Sequence, residues 1–133
     1  MIEVTCHDGA GMAPFLDDVA RLRIAVFRDF PYLYDGDPAY EAQYLATYVR
    51  SPGSVLVLAR DAGRIVGAST GIPLADEAAA FRAPFVARGI AVSTVFYCGE
   101  SVLLPEYRGH GLGHRFFDER QAHASRLGGV EWT

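Results

Sequence analysis

The sequence predicts an α/β domain built on a mixed sheet, and three features predict it. Apolar residues recur at helical spacing over 13–27 and again over 111–127; a continuous apolar run at 54–60 is joined by a tight turn to a second strand-like segment; and an apolar strand at 93–104 leads through alternate glycines into the last helix. At 133 residues, 50% hydrophobic and 21% charged, the chain suffices for one core, so residues 1–133 are read as a single domain.

Taken in order, Ile2 to Cys6 is short and β-prone, and Asp8-Gly9-Ala10-Gly11 reads as a loop. From Ala13, the residues Phe15, Val19, Leu22 and Val26 recur at four, three and four, with Leu16, Ala20 and Phe27 widening the stripe and Asp17, Asp18, Arg21 and Arg28 facing away. This first helix stops before Pro31, and a tyrosine-rich loop follows to Gly36. Asp37 is suited to cap a second helix, Pro38 to its first position, and Pro52-Gly53 to stop it after Arg50. Ser54 to Arg60 is apolar enough for a strand covered on both faces, and Asp61-Ala62-Gly63 turns it into a hairpin with Arg64 to Ile72. Asp76 to Arg88 is alanine-rich and predicts a helix broken near Pro84, before a strand from Ser93 to Leu104. Gly111 to Leu127 predicts a helix with Leu112, Phe116, Phe117, Ala124 and Leu127 inward and Arg115, Asp118, Glu119 and Arg126 outward. Gly128-Gly129 ends it, and residues 130–133 resemble the start of another strand. No repeat, low-complexity tract or linker interrupts this order.

Charge narrows the function. The net charge is −4, the pI is about 5.5, and the cations other than histidine are scattered arginines, which argues against a nucleic-acid partner. No run of about eighteen apolar residues is present to span a bilayer, and Met1-Ile2-Glu3-Val4 lacks the character of a secretion signal, so no membrane partner and a cytoplasmic location are expected. Cys6 and Cys98 lack CxxC spacing and read as small buried hydrophobes. His110 and His114 are separated by Gly-Leu-Gly without the glutamate of an HExxH motif, so no metal site is expected; His7 and His123 read as surface residues.

The chemistry concentrates in residues 101–114, where an apolar strand, a short loop, Gly109, Gly111 and Gly113, and a helix follow one another. Glycines let the backbone approach an anion, and a helix start offers free amides and a favourable dipole. Arg108 adds a planar cation suited to phosphate oxygens. The glycines alone serve two readings: a phosphate cradle, or a tight strand-to-helix turn. The lysine-containing phosphate loop is excluded because the chain has no lysine. The dinucleotide pattern GxGxxG fails because His114 and Phe116 stand where its last glycine belongs.

Arg108-Gly109-His110-Gly111-Leu112-Gly113 resembles the Arg/Gln-x-x-Gly-x-Gly/Ala signature of the GCN5-related N-acetyltransferase superfamily, and the element order over 1–129 is similar too. The resemblance implies acetyl-CoA as cofactor, released as CoA, and transfer of acetyl to a primary amine of a small molecule or peptide. It implies pyrophosphate on the amides of Gly109, His110, Gly111, Leu112, Gly113 and His114, with Arg108 alongside. It also implies a pantetheine arm paired like a strand with Ser101, Val102 and Leu103, where a bulge splays the sheet, and a backbone amide near Val102 or Leu103 that polarises the thioester carbonyl.

Transfer requires a base for the amine, and Glu100 is the candidate because it interrupts an apolar strand just before those residues. Two readings of it stand: a base, or a solvated carboxylate at a bulge. Cys98 has no histidine at a recognisable spacing to activate it and reads as a packed thiol. Phe30, Tyr32, Tyr34, Tyr40, Tyr44 and Tyr48 serve either an acceptor pocket or, for the last three, core packing at helical spacing. The family fold continues past the third helix with elements this chain does not show. The alternatives are a fragment completed by another chain, a CoA-binding or regulatory module without turnover, or a homo-oligomer formed through an exposed strand edge.

Overall fold

A computed structural model describes residues 2–28 and 33–133. Strands β1 (Ile2–Asp8), β2 (Val55–Asp61), β3 (Arg64–Pro73) and β4 (Phe96–Leu103) form an antiparallel sheet in the order β1-β2-β3-β4. Helices α1 (Leu16–Phe27) and α2 (Pro38–Arg50) cover one face, α4 (Leu112–Leu127) covers the other, and α3 (Ala79–Ala87) precedes β4. The predicted α/β class and element order are therefore observed.

Alternation along β2 explains the two layers. Leu56 and Leu58 enter the core under α1 and α2, whereas Val55, Val57 and Ala59 enter the core under α4, and all five are at most 1% exposed. A strand wetted on neither face must be apolar at every position, which is why its sequence shows no polar alternation. Each buried Leu or Val here contributes roughly 1.5–3 kcal/mol.

Local chemistry sets most of the boundaries. Asp37 Oδ1 accepts the amides of Ala39 and Tyr40, so the predicted cap of α2 is present with Pro38 at its first position. Ala62 and Gly63 both have positive φ, +52° and +84°, which suits a two-residue hairpin turn between Asp61 and Arg64. At the chain's end, Trp132 forms an isolated parallel bridge with Val95 and its carbonyl accepts the Phe96 amide at 2.8 Å; residues 130–133 make this one bridge and no strand.

Several expectations are corrected. Residues Gly9–Phe15 form a 3-10 helix rather than loop and α-helix, with Met12 1% exposed in the core. Helix α3 runs through Pro84 unbroken; it buries no residue, so the carbonyl that the missing proline N–H leaves unpaired can be solvated. Phe117 and Leu127 are 48% and 42% exposed, because the sheet covers only one side of α4. Cys6 is exposed on the edge strand β1, where its thiol donates to Glu119 Oε2, and is not a buried hydrophobe. His123 is not a surface residue: it is 8% exposed, its Nε2 donates to the Gly53 carbonyl at 2.8 Å, and its ring packs on Phe96. His7 is half-buried, with Thr5 Oγ1 at 3.0 Å and the Phe15 ring 4.3 Å away. The predicted loop residues Phe30, Pro31 and Tyr32 lie outside the described residues.

Candidate functional site

The sheet and α4 meet in the loop from Leu104 to Gly111. A 3-10 turn, Pro105–Tyr107, is pinned at both ends: the Leu104 amide donates to the Val66 carbonyl at 3.0 Å, and the Tyr107 hydroxyl donates to Asp61 Oδ2 at 2.6 Å. Gly109 and Gly111 then take φ of +84° and +79°, the left-handed region that glycine enters without penalty. Gly111 occupies the cap position of α4, and the Arg115 amide donates back to its carbonyl. The amides of Leu112, Gly113 and His114 thus belong to the first turn, where helix geometry supplies no partner.

These glycines do not serve internal packing. A Cβ built on Gly109, Gly111 or Gly113 meets nothing within 4 Å. At Gly109 and Gly111 the backbone angle accounts for glycine; at Gly113 neither angle nor neighbours do, and what its missing side chain leaves is open space beside a row of amides. Gly109, His110, Gly111, Gly113 and His114 are all exposed, whereas Leu112 is 6% exposed and anchors the turn in the core. Arg108 is exposed beside them, its Nε donating to the Leu103 carbonyl at 3.2 Å.

The second feature is a bulge in β4. Thr70 pairs with Glu100 and Gly71 with Cys98, so Gly99 is an extra residue with no partner on β3. Beyond it Ser101, Val102 and Leu103 resume pairing with Ser69, Ala68 and Gly67. Among the described residues no strand pairs with the outer edge of β4 at these positions. Ser101 Oγ lies 3.0 Å from Ser69 Oγ, which in turn donates to the Glu100 carbonyl at 3.1 Å. Arg120, 8% exposed on α4, holds the bulge from beneath: its Nη1 donates to the carbonyls of Thr70 and Glu100 at 3.4 and 3.5 Å.

Glu100 projects from the bulge toward α1 and α2. Its Oε1 accepts from Arg23 Nη1, and its Oε2 is buried with no hydrogen-bond partner among the described residues. Arg23 Nε and Nη2 both donate to the carboxylate of Glu41, which is 1% exposed and also accepts from the Tyr34 hydroxyl at 3.2 Å. The guanidinium is flanked by the rings of Tyr44 at 4.1 Å and Phe27 at 5.2 Å. Glu100 is neither fully solvated nor alone.

A cavity of about 560 Å³ opens beside this group, lined by Arg23, Phe27, Tyr34, Asp37 and Tyr40. Tyr34 and Tyr40 line it, while Tyr48, 1% exposed, and half-buried Tyr44 pack into the core. Phe30 and Tyr32 lie outside the described residues. Burial pushes the hydroxyls of Tyr44 and Tyr48 above the ordinary tyrosine range, so both remain protonated at neutral pH.

Arg23, Glu41 and Arg120 were not among the predicted site residues. Their signal was positional: Arg23 is four after Val19 and three before Val26, Glu41 is four before Leu45, and Arg120 is four after Phe116, so each charge interrupts a buried helical stripe.

No family model and no curated protein matches the sequence. Solved structures do match in fold. Over the whole of this chain and 78% of the other, it superposes on AAC(6')-Iy in complex with the bisubstrate analogue CoA-S-monomethyl-acetylneamine, with a TM-score of 0.68 at 14% identity. The aminoglycoside 6'-N-acetyltransferase AAC(6')-Ih from Acinetobacter baumannii gives 0.67 at 14% identity over 99% of this chain and 77% of its own. An acetyltransferase of the GNAT family from Staphylococcus aureus Mu50 gives 0.65 at 12% identity over 96% of this chain and 68% of its own. The fold is that of the GNAT acetyltransferases.

Proposed function

We propose that the chain is an acetyl-CoA-dependent N-acetyltransferase acting on a primary amine of a small molecule or peptide. The observation that carries this reading is the pair of consecutive features on one segment: a glycine-lined row of amides at the start of α4, and just before it a bulged strand whose outer edge at residues 101–103 pairs with no strand among the described residues. A pyrophosphate suits the first and an extended amide-bearing arm suits the second. Solved structures of the same fold include complexes named for CoA and for a CoA bisubstrate analogue, which supports the same cofactor here.

Residues Gly109, His110, Gly111, Leu112, Gly113 and His114 would hold the pyrophosphate through their amides, with Arg108 contributing its fixed charge. Ser101, Val102 and Leu103 would pair along the arm. When bound, acetyl-CoA supplies an activated acyl group. The chain's part is to admit the amine through the cavity of Arg23, Phe27, Tyr34, Asp37 and Tyr40, and to present Glu100 to its nitrogen. An amine that arrives as ammonium gives one proton to Glu100 Oε2, and from there to solvent. The nitrogen–carbon bond would form as the sulfur–carbon bond breaks, and the proton then lost by nitrogen would be, net, the one gained by the departing sulfur. A main-chain amide near Val102 or Leu103 donates to the developing oxygen charge.

Steady-state assay of thiol release against a panel of primary amines tests the reading, with Glu100→Gln expected to lower turnover about 100-fold or more while CoA binding is retained. A second reading, a CoA-binding module without turnover, draws on the engagement of Glu100 by Arg23, which occupies one of its two oxygens. CoA binding with no acetyl transfer to any amine would favour that module.

A further inference from the structure

We infer that Arg23 and Glu41 are positioning residues that set the orientation and charge of Glu100; this rests on the reading of Glu100 as the base. The three side chains form a row in which one guanidinium serves two carboxylates, for a net charge of −1. The row is almost dry: Arg23 and Glu41 side chains are 6% and 1% exposed, Glu100 20%. A structural ion pair needs one partner of each sign. The second carboxylate needs another explanation, since a surplus buried charge is costly.

Geometry provides one. Nε and Nη2 of Arg23 make a fork on Glu41, so the guanidinium is held in plane by α2, and Tyr44 and Phe27 cover it. Nη1, which Glu41 does not engage, reaches Glu100 and takes Oε1. That leaves Oε2, buried and without a partner among the described residues, as the oxygen free to receive a proton. The cavity that would admit the amine is lined by the same Arg23. Arg23 thus orients the carboxylate as a second residue orients a catalytic imidazole. Glu41 prevents Arg23 from neutralising Glu100 completely.

Arg23 from α1 contacts the Glu100 side chain and Arg120 from α4 its main-chain carbonyl; Glu41 shares the guanidinium, Thr70 from β3 pairs with Glu100, Tyr44 and Tyr48 lie beside Thr70 and each other, and buried Glu77 lies near enough to act on both tyrosines. Both tyrosines stay uncharged at neutral pH. Ionisation of Glu100 therefore depends chiefly on Arg23 and Glu41. Without Arg23 two carboxylates share a dry site and one must hold a proton. With Glu41 neutral, Glu100 has sole claim on Arg23 and keeps its charge to lower pH. The two changes act in opposite directions, which packing alone does not produce.

The test is the carboxyl ¹³C titration of Glu100 in protein labelled at glutamate, assigned by its loss in Glu100→Gln, with the pH profile of kcat/KM measured alongside. Relative to wild type, Arg23→Met should raise the titration midpoint by about one pH unit or more, Glu41→Gln should lower it, and Arg23→Lys should restore most of the wild-type value. Should Arg23→Met not fold, Glu41→Gln, which conserves size, still decides. An unmoved midpoint in folded Arg23→Met or in Glu41→Gln would overturn the inference. Midpoints that move as stated support it; if the acid limb of kcat/KM then fails to follow them, it is the assignment of Glu100 as base that falls.

Discussion

The Tyr48 hydroxyl fills the space that a side chain on Gly99 would occupy: a Cβ built there would stand 2.2 Å from the tyrosine oxygen and 2.7 Å from Thr70 Oγ1. Gly99 is the extra residue of the β4 bulge, and Tyr48 is 1% exposed, so α2 is keyed into the irregularity that immediately precedes Glu100. Gly99→Ala should cost about 1–3 kcal/mol by urea denaturation. Adding Tyr48→Phe, which removes the clashing oxygen, should recover part of it. An unchanged midpoint in the single variant would contradict this packing.

The cradle permits a cleaner separation of binding from folding. Gly111→Ala meets no neighbour, so its penalty is the left-handed backbone alone, roughly 1–2 kcal/mol. Gly113→Val meets no neighbour and has no unfavourable φ, so stability should hold or rise while CoA affinity falls. Arg108→Ala should also weaken CoA with little effect on stability, since the side chain is exposed. If Gly113→Val binds CoA as wild type does, the cradle has been misplaced.

Among the described residues, Arg120 hydrogen-bonds only to carbonyls: those of Phe116, Thr70 and Glu100. Arg120→Met keeps the apolar stem but strips the bulge carbonyls of a donor, at about 1–3 kcal/mol for a buried group left unpaired. Thermal unfolding should show the loss. A variant as stable as wild type would mean that solvent or backbone rearrangement satisfies those carbonyls.

How much of this was legible depended on whether a signal was local. The cap at Asp37, the turn at Ala62-Gly63 and the glycine-rich turn from β4 into α4 each follow from neighbours a few residues away, and all were read in place. The cradle's function gained support only when three glycines proved to have nothing packed against them. Glu100 was singled out as a charge in an apolar strand, but its partner Arg23 lies 77 positions earlier, and Glu41, which shares that guanidinium, 59 earlier, on helices whose stripes were read from their apolar members alone. Long-range pairing of this kind leaves one trace in a sequence, a charge at a buried phase. The exposure of Cys6 and burial of His123 were missed for a related reason: both depend on where α4 lies across the sheet.

Cys6 should react slowly although it is exposed. Desolvation first, then the hydrogen bond and charge of Glu119, push its thiol up to about 11 from an ordinary 9.0, which lowers the thiolate fraction at neutral pH about 100-fold. Iodoacetamide labelling should accelerate in Glu119→Gln. Labelling of wild type at the rate of a free thiol would contradict the contact.

His7 predicts a pH dependence of stability. Desolvation, followed by the charge of Arg60, lowers its value below the ordinary 6.5, with Asp8 acting in the opposite sense. The unfolded chain then binds the proton more tightly than the folded one, so stability rises with pH from the depressed value to about 6.5 and is lost as pH falls through that window. Melting temperatures from about pH 5 to pH 8 should show a shallower slope in His7→Gln than in wild type. Equal slopes would assign the dependence to other groups.

The most direct test of the central claim is calorimetric titration of the chain with acetyl-CoA and with CoA. Saturable binding in the micromolar range, about −8 kcal/mol, abolished by Gly111→Val and weakened by Arg108→Ala, is the predicted result. Absence of heat for both ligands in a folded sample would contradict the assignment of residues 101–114 as a CoA site.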